Sequence, residues 1–329
     1  MTEMLPKVSI VMPAYNAGHY IAETIASVQA QTMPHWELVI TDDGSSDQTA
    51  EVVNALAASD PRIRLFQQQN GRQGKARNLA LKHAVAPWVA FLDADDLWHP
   101  EKLSRQFAII EANPEAELVF TAGISFDSDT GAVTETHPAR SGLLDRDEMY
   151  LEILRGYSLP VLSVLVKRGW IDKVGGFGEE LPVQNAEDYQ LWLKMADAGI
   201  RMYGLNEDLF RYRIHPTQTT FQDGVNLPSV VWALALARLN RISDEAKTRL
   251  MEERLNRYLV HHIDELSGER LNKVLALYQS PLQKTGIYYQ IRLRLLAGKG
   301  HFKNWAYGHL SLKLETPVIT GLNPTQTPH

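Results

Sequence analysis

The chain has 329 residues, 44% hydrophobic and 22% charged, a balance that supports a sizeable buried core and excludes a disordered polypeptide. Its net charge of -6 excludes the broad basic footprint of a nucleic-acid binder, and the absence of cysteine excludes disulfides, thiolate metal sites and cysteine nucleophiles together. A chain of this length accommodates a large α/β domain and a smaller appendage.

Residues 1–7 lead into a short apolar strand without the apolar core and cleavage site of a signal peptide. The longest apolar stretch of the second half, residues 230–237, is far shorter than the roughly 18 residues of a membrane span. The expected location is the cytoplasm.

Residues 8–12 (Val-Ser-Ile-Val-Met) are β-rich and closed by Pro13, and residues 21–28 repeat apolar side chains at helical spacing, so strand, loop and helix follow in order. The unit recurs with strand 36–40, helix 49–58 behind the candidate caps Ser45 and Ser46, strand 63–66, helix 74–84 and strand 88–92. Near-continuous apolar strands suit a parallel sheet covered on both faces. Their alternation with helices predicts a doubly wound α/β sheet whose ligands sit beyond the carboxyl ends of the strands. Helix 101–111, strand 118–126, a turn at 127–131, helix 143–154 and strand 161–166 come next. Helix 187–198 is closed by Gly199, and short strands follow near Met202 and at 210–214. From about Leu227 to Leu314 the composition is helical, with breaks near Ser243, Gly268 and Ser280-Pro281. The boundary is expected near Asp223-Gly224, giving domains 1–223 and 224–315 and a polar tail 316–329.

Three polar clusters follow strands. Pro13-Ala14-Tyr15-Asn16 and Thr41-Asp42-Asp43-Gly44-Ser45-Ser46-Asp47 come first. A carboxylate there can accept from a nucleobase N–H, and the backbone amides around Gly44 suit anionic groups; a turn that merely caps a helix is the alternative. Asn70-Gly71-Arg72-Gln73-Gly74-Lys75-Ala76-Arg77-Asn78 opens a helix with two arginines and a lysine that could reach a diphosphate or ribose, or form a basic surface. Its spacing is not that of a phosphate loop, and no Gly-x-Gly-x-x-Gly follows the first strand. Third is Leu92-Asp93-Ala94-Asp95-Asp96, directly after the apolar run Trp-Val-Ala-Phe-Leu. Clustered carboxylates repel unless a cation joins them, and alternate residues of an extended chain share a side, so Asp93 and Asp95 suit a divalent ion bridged to a diphosphate. An acidic loop capping the next helix is the alternative.

Taken together and in this order, these clusters resemble the family 2 glycosyltransferases, inverting enzymes of the GT-A fold, over roughly residues 5–217. The fold the resemblance implies is α/β, a GT-A-like doubly wound mixed sheet flanked by helices, with a smaller C-terminal helical region. It implies that Asp42 contacts the base, Asp93 with Ala94 the ribose or sugar, and Asp95 a Mn²⁺ or Mg²⁺ ion. Pro13, Ala14, Tyr15 and Asn16 would line the nucleotide pocket, with Asp43 and Arg72 or Arg77 nearby. The family's base lies in an acidic pair opening a later helix, matched by Glu187-Asp188 with Asp188 preferred; acids there also serve as ordinary helix-dipole partners. Arg211-Tyr212-Arg213-Ile214-His215-Pro216 resembles the segment that often closes the fold, with His215 a second candidate ligand. Gly175-Gly176-Phe177 resembles the acceptor-side loop, whereas Trp192 sits at packing spacing.

The implied activity is transfer of a sugar from a nucleoside diphosphate donor, UDP being commonest in the family, to a glycan or lipid-linked glycan acceptor. The Gln-x-x-Arg-Trp signature of the processive synthases is absent, which favours addition of a single sugar. A nucleotidyltransferase would need a Gly-rich basic loop after strand one, which Pro13-Ala14-Tyr15-Asn16-Ala17-Gly18 is not. A non-catalytic sugar-nucleotide binder is disfavoured by the intact Asp93, Asp95 and Asp188. Residues 282–314 hold no Asp or Glu and interleave lysine and arginine with aromatics. That composition suits peripheral contact with the inner face of a membrane, or packing on the catalytic domain or a second copy of the chain.

Overall fold

Strands β1 (Val8–Ala14) and β2 (Trp36–Asp42) are buried along their whole length, as central strands with helices on both faces must be. The computed structural model describes residues 5–157, 159–180 and 183–216, residue 218, and positions scattered between 230 and 251. β1 and β2 run parallel in register from Val8 opposite Trp36 to Ala14 opposite Asp42. The loops that begin at Tyr15 and Asp43 therefore leave the sheet side by side at its carboxyl edge. β3 (Ile63–Gln67) lies parallel outside β2, and β4 (Trp88–Phe91) parallel on the other flank of β1.

The remaining strands are β5 (Leu97–Trp98), β6 (Leu118–Asp127), β7 (Val133–His137), β8 (Gly142–Leu143), β9 (Leu165–Lys167) and β10 (Met202–Ile214). The sheet runs β3-β2-β1-β4-β9-β6-β10-β5, with β7 on β6 and β8 on β10. β9 enters antiparallel between β4 and β6, so the sheet is mixed, as the resemblance implied. This carries the end of β4 toward the parallel pair β6 and β10, where the acids after β4 meet the end of β10.

The helices are α1 (Ile21–Gln29), α2 (Thr49–Ala57), α3 (Arg72–His83), α4 (Lys102–Ala112), α5 (Arg146–Arg155), α6 (Arg168–Val174) and α7 (Glu187–Asp197). α1 buries Ile21, Thr24, Ile25 and Val28, the stripe its periodicity predicts. α5 starts at Asp145, whose carboxylate accepts from the Asp147 and Glu148 amides, and stops at Gly156 with φ of 103°. α4 carries an unusual core residue. Lys102 is fully buried, its ammonium donating to Gln106 Oε1 at 2.9 Å and lying 4.2 Å from the Trp98 ring centroid. Burial pushes its pKa well below the ordinary lysine value.

Several local expectations need correction. Residues 161–163 form a 3-10 turn and only Leu165–Lys167 is strand, because Pro160 fixes a bend before the apolar run. α5 begins at Arg146, since Gly142–Leu143 pairs with β10. The two short strands near Met202 and 210–214 are one irregular strand. β7 was unanticipated because Val133–His137 is an exposed, polar edge strand lacking apolar alternation.

By contact the chain divides into a unit of Met1–Glu179 with Glu187–Phe221 and a unit of Glu180–Ala186 with Gln222–His329. In the second, Ala233, Leu234, Ala237, Ile242, Leu250 and Met251 are buried and Lys247 Nζ donates to the Ala235 and Ala237 carbonyls at 2.9 and 2.7 Å. The boundary near Asp223-Gly224, the basic aromatic segment 282–314 and the tail 316–329 lie outside the described residues. Among the described residues no helix is long and apolar enough to cross a membrane.

Candidate active site

The first two loops are tied to each other by side chains. The Asn16 amide donates to Ser45 Oγ at 2.9 Å, that of Ala17 to Thr49 Oγ1 at 2.8 Å, and that of Gly18 to Asp47 Oδ2 at 2.9 Å. Asn16 returns the tie, its Oδ1 accepting from the Ser46 amide at 2.9 Å. Pro13 and Ala14 are buried strand-end residues, whereas the Tyr15 ring is 54% exposed beside them and open to stack on a planar ligand. Asn16, expected as a pocket residue, has a left-handed φ of 49°, and its amide oxygen is engaged by the Ser46 amide of the neighbouring loop.

Asp42 and Asp43 separate in role. Asp42, buried at the end of β2, accepts from the Ser45 amide and from Gln67 Nε2, both at 3.0 Å. Asp43 accepts from Gln68 Nε2 at 2.7 Å and from the Gly71 and Arg72 amides at 2.8 Å each. Both oxygens of Asp43 are thus engaged in anchoring the entry to α3. Arg72, at that entry with φ of 68°, is exposed and points to no acid among the described ion pairs.

Beyond β4 the chain turns through Asp93, Ala94, Asp95 and Asp96, held from α1 by Thr24 Oγ1 donating to the Ala94 carbonyl at 3.0 Å. The three acids differ. Asp96 is buried, with Oδ1 accepting the Arg213 amide at 2.8 Å and Oδ2 without a partner; burial, with Asp95 and Asp93 adding repulsion, pushes its pKa well up. It acts as a tie to β10. Asp95 keeps its carboxylate about one-third exposed, and its Oδ2 lies 3.1 Å from His215 Nε2. Arg213 fixes this corner, donating from Nε to the Asp95 carbonyl at 2.7 Å and from Nη2 to Glu23 at 2.6 Å, while Tyr20 packs on His215 with ring centroids 4.6 Å apart.

Asp93 is joined to the predicted base pair by Arg77. Nη2 of Arg77 donates to Asp93 Oδ1 at 2.6 Å and Nη1 to Glu187 Oε1 at 2.5 Å; the residue is buried and its guanidinium lies 5.4 Å from the Phe177 ring centroid. Arg77, expected near the nucleotide, is buried between carboxylates, on the same inward stripe of α3 as Gly74, Ala80 and Leu81. That spacing, i, i+3, i+6 and i+7, was the available signal that it faces inward. Glu187, the other member of the acidic pair expected to supply the base, is likewise buried and ion-paired. Asp188 is half-buried, accepts the Tyr189 amide at 2.6 Å and makes no ion pair among the described residues. Burial, reinforced by the charge of Glu187 and opposed by Arg77, pushes its pKa up to about 7.

Asp95 and His215 are the pair that could hold a divalent ion. Carboxylate oxygen and imidazole nitrogen suit Mn²⁺, while Mg²⁺ favours oxygen. Among the described residues no group of three or more His, Cys, Asp or Glu is placed to hold a metal. A cation here would therefore complete its coordination from diphosphate oxygens and water, which fits a group shared with a substrate.

A mixed α/β sheet with acids gathered at its carboxyl edge is the arrangement of the GT-A fold, and comparison with known proteins agrees. The family model described as Glycosyl transferase family 2 matches residues 9–159. A Bacillus subtilis protein assigned, as glycosyltransferase TuaG, to teichuronic acid biosynthesis is 32% identical over 65% of this chain and 81% of its own. The Escherichia coli UDP-Glc:alpha-D-GlcNAc-diphosphoundecaprenol beta-1,3-glucosyltransferase WfgD is 35% identical over 57% of this chain and 69% of its own. Among solved structures, S. aureus TarS 1–349 in complex with UDP-GlcNAc superposes with a TM-score of 0.64 at 21% identity, over 92% of this chain and 90% of that one. The chain belongs to glycosyltransferase family 2, and it is a transferase with the GT-A fold.

Proposed function

We propose that the chain is an inverting glycosyltransferase that moves a single sugar from a nucleoside diphosphate sugar, with UDP the expected nucleotide, to a hydroxyl of a glycan or lipid-linked glycan. One observation carries this reading: Asp93 and Glu187 are both paired to Arg77, whereas Asp188, beside them, is left as a carboxyl with a pKa near neutrality. A group that changes protonation near the working pH is what general-base chemistry asks for. The UDP-GlcNAc complex of TarS and the UDP-Glc donor and diphosphoundecaprenol-linked acceptor in the name of WfgD support the choice of donor and acceptor class.

The acceptor oxygen attacks the anomeric carbon on the face opposite the diphosphate, and Asp188 takes the hydroxyl proton as the new C–O bond forms. The bond to the diphosphate oxygen breaks with its electron pair leaving on that oxygen, and the anomeric centre inverts. Asp95 and His215 would hold a divalent cation, which when bound would neutralise charge gathering on the departing diphosphate. Asp42 receives the base at the end of β2 beneath Tyr15, and Asp93 accepts from donor hydroxyls with the oxygen that Arg77 does not use. Residues 1–223 form the catalytic domain in this reading, and residues 224–315 supply acceptor, membrane-surface or subunit contacts.

The test is a panel of UDP-, GDP- and dTDP-sugars with Mn²⁺ or Mg²⁺, and short glycan and lipid-linked acceptors, with product anomers assigned by NMR. Transfer with inversion by the wild type, lost in Asp188→Asn while nucleotide binding is kept, is expected. Retention of configuration, or full turnover by the variant, would sink the assignment.

A further inference from the structure

Three segments distant in sequence meet at one guanidinium. Arg77 reaches Asp93, 16 residues on, and Glu187, 110 residues on. The rest of α3 is fastened to the loop before α7 as well. Asn78 Nδ2 donates to the Phe177 carbonyl at 3.0 Å and to Glu179 Oε1 at 2.8 Å, and its Oδ1 accepts the Phe177 amide at 3.0 Å. Gly74 leaves room for the Gly178 carbonyl, which a Cβ would meet at 2.3 Å. From α7, Lys194 Nζ donates to the Gly176 carbonyl at 2.7 Å.

Stability alone does not call for this arrangement. Replacing a buried ion triad by apolar side chains of similar volume is often neutral or stabilising. Here the triad also leaves Arg77 Nε and Glu187 Oε2 buried without a hydrogen-bond partner among the described residues, a further cost. What the fork achieves is geometric: two parallel arms of a planar cation hold two carboxylates in a fixed relation, which an ammonium on a flexible stem cannot do.

We propose that Arg77 is the positioning residue of the transfer site, its two arms locking the donor-side Asp93 and the first turn of α7, through Glu187, into one frame that sets the placement of Asp188. This rests on the reading of Asp188 as the base. Among the described residues, the charged groups that act most on Asp188 are Glu187 on its own helix, Arg77 on α3 and Asp93 after β4. Arg77 is the cation among them and opposes the repulsion of the other two, so the frame acts on protonation as well as on distance.

The experiment uses the full chain labelled with carbon-13 at the aspartate carboxyl carbons, the Asp188 resonance being the one missing from Asp188→Asn. In Arg77→Met the Asp188 titration midpoint should move up by about one pH unit or more, the scale for losing a neighbouring opposite charge. Arg77→Lys keeps the charge and should leave the midpoint near that of the wild type. In transfer assays Arg77→Lys should lower kcat about tenfold to a hundredfold, the scale of a misplaced reacting group. Its KM for the donor should change less than about threefold, as expected when ground-state binding is spared. A midpoint unmoved in a folded Arg77→Met protein would overturn the proposal. If Arg77→Met does not fold, wild-type kcat in Arg77→Lys overturns it instead. Should the wild-type chain transfer no sugar, the functional reading fails while the titration still tests the frame.

Discussion

His215 Nε2 lies 3.1 Å from Asp95 Oδ2 although 120 residues separate them, because β10 returns beside the loop that follows β4. These side chains are the two protein ligands proposed for the cation. Asp95→Ala and His215→Ala should each weaken cation-dependent UDP binding by at least about tenfold, the scale seen even for loss of an outer partner of a metal site. Thermal shift with UDP across a Mn²⁺ titration reads this directly. A cation response equal to the wild type in both variants would remove the pair from the site.

The acidic limb of the rate profile should belong to Asp188. Its carboxyl is raised to about 7 chiefly by burial, so it is protonated and idle below that pH and competent above it. Transfer should fall about tenfold per unit on the acid side and level off above neutrality. Asp188→Asn should lose this limb together with about a hundredfold or more in kcat.

Asp43 should matter to folding before it matters to ligand. It accepts three hydrogen bonds, two of them from the backbone at the entry to α3. Asp43→Ala leaves those donors unmatched at a cost of about 3 kcal/mol. In a domain of this size that lowers Tm by about 6–12 °C. Calorimetry of the ligand-free chain checks it, and an unchanged Tm would return Asp43 to the nucleotide.

Lys102 gives a second pH effect, in the folded state's stability. Its folded pKa is depressed by burial below the ordinary 10.5. Between those two values the unfolded chain binds a proton that the folded chain does not, so stability rises with pH through that window. The slope is at most about 1.4 kcal/mol per pH unit. Lys102→Met keeps the stem and removes the ammonium, and its urea midpoint should lose this rise as the pH climbs toward the ordinary lysine value. Parallel pH profiles for the two proteins would contradict it.

Much of the first half of the sheet was legible in the sequence for a simple reason. β1, β2 and β4 are buried on both faces and read as continuous apolar runs, and the acids that follow them stand at the strand ends where a parallel sheet collects ligands. The pairing of charges was not legible. Nothing local in Arg77 says that its partners are Asp93 and Glu187, since sequence spacing reports which face of α3 it occupies but not what that face meets. Asp42 and Asp43 look alike as neighbours, yet they point to opposite sides of the chain and acquire different partners. Asp96 is separated from Asp95 in the same way. β5 and β7 escaped notice because a two-residue strand has too few positions to show a period, and an exposed edge strand has no apolar face to show.

The ties between the first two loops bear on how a nucleotide would arrive. The amides of Asn16, Ala17 and Gly18 are each held by a side chain of the neighbouring loop or of the first residue of α2. The ordering of that cradle is then completed when the protein folds, not when the ligand binds. Association need restrict little beyond the ligand's own tumbling and rotors, so recognition of the base should resemble a key entering a rigid lock more than a hand closing.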